Sequence, residues 1–127
     1  MNALESTEFT INKANYQFQE NNLVEIKYSE SSKEDIDPEE SLNRLKDLLK
    51  SEKHRFLFHN HGFQYSGKKA RIISLDFLKE RAHGLAIVTK TKMDYGIACV
   101  YAALAPKSTT IRVFKNRGEA LAWLNEL

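Results

Sequence analysis

Apolar and polar residues alternate in three short runs near the start of the chain: Phe9–Ile11, Tyr16–Glu20 and Leu23–Ser29. Tyr16 and Phe18 fall on one face of their run, and Val24, Ile26 and Tyr28 on one face of the next. A period of two marks a strand with one buried face, because successive side chains leave a sheet on opposite sides. Asn21-Asn22 separates the second and third runs. Asparagine tolerates the positive φ of a tight turn better than other residues with a side chain, so the pattern predicts an N-terminal antiparallel hairpin.

The period then lengthens. Asp37-Pro38-Glu39-Glu40 sets out a capping carboxylate, a proline suited to the first helical position and two acids for the first turn. Leu42, Leu45, Leu48 and Leu49 follow at helical spacing, which predicts a helix over residues 38–52. Arg55–His61 is aromatic-rich and runs into Gly62, the pattern of a strand ending in a loop. Over Lys68–Ala82 the spacing of Ala70, Ile73, Phe77 and Arg81 favours a helix, with a short strand at 71–74 as the competing reading. Leu85–Val88 is continuously apolar, as in a strand covered on both faces, and is expected at the centre of the sheet.

Thr91 and Asp94 form a capping pair ahead of Met93, Ile97, Val100, Tyr101 and Leu104, a helical stripe that ends at Pro106. Thr109–Lys115 alternates again, with Ile111 and Val113 inward. Asn116-Arg117-Gly118-Glu119 then suits the cap of a final helix, with Ala120, Trp123, Leu124 and Leu127 on its apolar side. From residue 38 onward the order is α-β-α-β-α-β-α. Together with the hairpin this selects an α/β fold with a mixed, mainly parallel sheet and right-handed crossover helices. The 127 residues suit one domain over residues 1–127.

Composition narrows the function classes. Apolar residues make up 42% and charged residues 28%, a globular rather than a disordered balance. The net charge of +2 is spread along the chain, whereas nucleic acid binding draws on a concentrated basic patch, so no nucleic acid partner is expected. The single cysteine, Cys99, fits a reducing compartment. The start, MNALESTEF, lacks the basic and apolar regions of a secretory signal. Tyr95–Pro106, the longest nearly uncharged stretch, falls short of the ~20 residues of a membrane helix. A cytoplasmic chain with no membrane span is expected. Neither a Gly-x-Ser-x-Gly elbow nor a glycine-rich phosphate loop is present, so no cofactor and no acyl-transfer activity are expected.

The ending Ile111-Arg112-Val113-Phe114-Lys115, followed by Gly118-Glu119-Ala120-Leu121-Ala122-Trp123-Leu124, resembles the strand, Phe, turn and Glu-Ala-Leu-x-Trp-Leu close of many small SpoIIAA-like proteins. These are relatives of the STAS, or anti-sigma-factor-antagonist, domains. The order of the remaining segments is similar over nearly the whole chain, including Lys69-Ala70-Arg71 at the start of a helix. The resemblance implies a small sheet with βα crossovers and a non-enzymatic docking role; lipid carriers of the CRAL-TRIO type share a similar core. Two departures stand out. His59 occupies the strand end where many relatives carry Asp, and the Asp-Ser phosphoacceptor pair is missing, with Ser66 the only hydroxyl near the next helix start.

The candidate site residues follow. His59 and His61 lie two apart on a strand and point the same way, but no third ligand can be assigned, so a structural or interaction role is expected and not a metal site. Ser66 ahead of Lys68-Lys69 reads as an N-cap, or as a phosphate site at a helix start. Met93, Ile97 and Tyr101 read as core, or as the lining of a pocket for a small apolar ligand. The expected function is a non-enzymatic regulatory or protein-interaction module that presents the Gly62–Gly67 loop and adjacent helices to a protein partner or to a second copy of the chain. A carrier or sensor of a small, lipid-like apolar ligand is the alternative.

Overall fold

The computed structural model describes residues 7–11, 14–28, 38–49, 52–60, 68–107 and 109–127. Strands β1 (Thr7–Ile11), β2 (Ala14–Gln19) and β3 (Leu23–Tyr28) form an antiparallel meander. A 3-10 turn at Glu20–Asn22 joins β2 to β3, and Asn22 takes the positive φ of 58° that the Asn-Asn pair predicts. The chain then continues through α1 (Pro38–Leu49), β4 (His54–Asn60), α2 (Lys68–Arg81), β5 (Ala82–Thr89), α3 (Lys92–Leu104), β6 (Ile111–Phe114) and α4 (Arg117–Leu124).

The six strands stand in sequence order, with β3, β4, β5 and β6 parallel. Each right-handed crossover therefore advances one strand in the same direction, which puts α1, α2 and α3 on one face. That face holds the larger core. Leu42, Leu45 and Leu49 of α1, Leu75, Phe77 and Leu78 of α2, and Ala98 of α3 close over Tyr16, Val24, Phe56, Leu85 and Ile87. After β6 the chain turns to the other face, where α4 sets Ala120 and Leu124 on Leu23, Leu57, Ala86 and Val88. Gly84 lets the end of this layer lie close, for a Cβ there would meet the Leu127 side chain at 2.4 Å.

Local signals fix the helix starts. Thr91 accepts the Asp94 backbone N–H at 3.0 Å, and Asn116 accepts that of Glu119 at 2.8 Å. Residues 68–81 form one continuous helix, so the competing strand at 71–74 does not exist. Two expectations need correction. β5 is buried on both faces but lies next to the edge strand β6, because the N-terminal meander adds three strands on the other side. On the sheet side of α3 lie Ala98, Tyr101 and, at its C-cap, Ala105, while Met93 is 75% exposed, Val100 59% and Leu104 53%. The small alanines let the helix settle on the sheet and turn the larger apolar residues outward. The capping Asp37 lies outside the described residues.

Candidate functional site

The face that receives α4 changes character along the sheet. Under α4 it is apolar, but over β2 and β3 it carries Asn15, Gln17, Gln19, Glu25 and Lys27. Glu25 sits at the boundary with 2% of its side chain exposed. An ionised carboxylate that deep costs several kcal/mol, on the order of the whole stability margin, unless donors surround it.

Donors do surround it. Arg117, the first residue of α4, grips the carboxylate with both arms of its fork, Nε to Oε2 at 2.8 Å and Nη2 to Oε1 at 2.9 Å. Gln19 Nε2 donates to Oε1 at 3.0 Å, and His59 Nε2 lies 2.5 Å from Oε2. Burial pushes the Glu25 carboxyl up, but the Arg117 guanidinium, His59 and Gln19 outweigh it and hold the group at about 2, against an ordinary 4.5. The Arg117 guanidinium is raised in turn by the same pair. With Glu25 ionised, its oxygen accepts, and the His59 ring donates Nε2–H to it.

Each Glu25 oxygen thus meets two donors, and the group acts as a clamp rather than as a proton acceptor. It ties β2, β3 and β4 to the N-terminal end of α4. A second tie, Arg55 Nη1 to the Leu124 carbonyl at 3.0 Å, holds the other end of α4.

Of the sequence candidates, His59 belongs to this cluster and is buried, with 11% of its side chain exposed. His61, Ser66 and the Gly62–Gly67 loop lie outside the described residues. Met93 faces solvent, Ile97 is partly buried, and Tyr101 is partly buried with its hydroxyl 2.7 Å from Ser74 Oγ on α2. These three do not meet His59, since α3 and the clamp lie on opposite faces of the sheet. No cluster of three metal-ligating side chains occurs among the described residues.

Glu25, Arg117 and Gln19 escape sequence reasoning. The one available signal is Arg117 itself: a cation at a helix start opposes the macrodipole, which points to an acid elsewhere in the fold.

The second feature is the outward side of α3. Met93, Val100 and Leu104 form an exposed apolar stripe, flanked by the exposed lysines 90 and 92 at one end and Lys107 at the other. No helix among the described residues is long and apolar enough to cross a membrane. A family model described as a domain of unknown function, DUF7793, matches residues 16–127. No curated protein and no solved structure matches the chain.

Proposed function

The chain belongs to the DUF7793 family, and we propose that it is a non-enzymatic protein-interaction module of the SpoIIAA-like, STAS-related type, whose partner docks on α3. The exposed stripe of Met93, Val100 and Leu104 carries this reading. Isolated surface hydrophobics are ordinary, but three of them aligned on one helix expose a continuous apolar strip that water disfavours and a partner would cover. Lysines 90, 92 and 107 at its ends call for a partner with an apolar centre and acidic flanks. The uninterrupted βα succession from β3 to α4, with strands in sequence order, is compatible with the proposed type. Saturation of the Glu25 carboxylate by four donors supports a scaffold role for the clamp in place of acid-base chemistry.

The test compares tagged wild type with the Met93→Ser/Val100→Ser/Leu104→Ser variant in co-purification from cells that make the chain, alongside native mass spectrometry of the purified protein. A protein retained by wild type and lost from the variant is expected. Equal retention by both removes α3 as the surface. A lipid-sized mass that co-purifies in place of a protein transfers the stripe to an apolar-ligand carrier.

A further inference from the structure

The exposed residues of α3 are Lys92, Met93, Gly96, Val100, Ala103 and Leu104. The outer face of a surface helix ordinarily carries charged and long polar side chains. Between Lys92 and Lys107 this face carries none. Met93, Gly96, Val100 and Ala103 recur at alternate spacings of three and four, large and small in turn, which is the pattern of a seam between two helices. At 100° per residue, Gly96 and Ala103 fall about 160° and about 140° round the axis from the buried Ala98. The two small residues thus lie at the centre of the outward face, with Met93, Val100 and Leu104 as a ridge along one side.

The packing of the chain itself does not call for Gly96. It stands within α3, where glycine is among the most unfavourable residues because it has the most backbone freedom to lose. Among the described residues, a Cβ added there meets no atom within 4 Å. What a missing side chain on an outward face does allow is the close approach of a second backbone.

We infer that the partner lays a single α-helix of its own along α3, with a large apolar side chain over Gly96 and acidic side chains at both ends. This rests on the reading of α3 as the docking surface and names its occupant. From Met93 to Leu104 the strip is about 17 Å long, roughly three turns of a helix. Its charge selects the occupant. Lys90 and Lys92 at one end and Lys107 at the other are exposed. Asp94, the one acid within residues 90–107, lies about 40° from Ala98, on the sheet side. On α2, Ser74 faces Tyr101 of α3, and the acids Asp76 and Glu80 fall about 160° and about 120° round the axis from Ser74. A second copy of this chain would set lysine against lysine whether the two helices ran parallel or antiparallel, so the occupant is a different protein with acids where α3 is flanked by cations. Helices that lie on membranes fill their apolar face with Trp, Phe or Leu. Two small residues at the centre of the face suit a helix backbone instead.

Fluorescence anisotropy of the full chain with labelled, designed helical peptides of about 20 residues tests it. One peptide carries Leu at alternate spacings of three and four, with Glu in its first and last turns. A second has Lys in place of Glu, and a third repeats the first with a central Pro that breaks the helix. The acidic peptide is expected to bind, and the other two roughly tenfold more weakly or worse. Gly96→Gln fills the centre of the face with a good helix former and should weaken the acidic peptide roughly tenfold. Gly96→Ala should raise the thermal midpoint by about 3 °C; a fall would assign Gly96 to the packing of the chain itself and overturn the proposal. So would an acidic peptide that does not bind, that binds no better than the basic or the broken one, or that ignores Gly96→Gln, and so would a wild type that binds only vesicles of phosphatidylserine and phosphatidylcholine. Co-purification separates this failure from failure of the docking reading. A cellular protein lost from Met93→Ser/Val100→Ser/Leu104→Ser but kept by Gly96→Gln overturns the helix alone, whereas one kept by both variants overturns docking on α3 as well.

Discussion

Glu25 is the residue on which the polar half of the structure turns. Removing its charge leaves Arg117 without its anion, but half of that guanidinium is already in water, with 47% of the side chain exposed. Glu25→Gln is therefore expected to cost about 1–3 kcal/mol, below the full penalty of a broken buried pair, as read from urea denaturation at neutral pH. The same residue sets an acid limit. Its folded pKa of about 2 lies below the ordinary 4.5, so its contribution is complete above 4.5 and is lost as pH falls toward 2. That contribution is on the order of 3 kcal/mol. The stability gap between wild type and Glu25→Gln should close between these two pH values; a gap that stays constant contradicts the clamp. Sequence reasoning reads Asn22, Thr91 and Asn116 correctly because each acts on a neighbour within three residues. It misses Glu25 and Arg117, which are 92 positions apart and meet only when α4 folds back over the sheet.

At the scale of elements, α4 shows where periodicity runs out. Its stripe suggests Trp123 as the buried anchor, yet Trp123 is only partly buried, against Phe114 at 5.7 Å between ring centroids, and Leu124 is wholly buried. Leu124→Ala should thus cost about 2–5 kcal/mol, and Trp123→Ala less than the 3–5 kcal/mol typical of a fully buried aromatic. The order of the two urea midpoints checks this, and the reverse order would mean that α4 is rotated from its described seat. Asn116→Ala should remove about 1 kcal/mol through the lost cap. The α/β succession itself is legible, because period two and period 3.6 separate cleanly along the chain and caps mark the changes. Which side of α3 meets the sheet is not: Met93, Ile97, Val100 and Leu104 make one apolar stripe and Ala98, Tyr101 and Ala105 another, and only packing selects between them.

For the whole molecule, the two faces of the sheet divide the work. One carries the large core and, on its outer surface, the α3 stripe; the other is locked by α4 through the Glu25 clamp and Arg55. Because the stripe lies outside the core, Met93→Ser/Val100→Ser/Leu104→Ser should leave the thermal midpoint within a few degrees of wild type, and a large fall would assign those residues to packing. The most direct measurement of the docking reading is site-specific photo-crosslinking in cells that make the chain. A photo-reactive amino acid replaces Val100 in one sample and the exposed Asp47 of α1 in another. A discrete protein adduct at position 100 and none at position 47 is the predicted result. Equal adducts at both positions, or none at position 100 from a folded protein, would contradict a partner surface on α3.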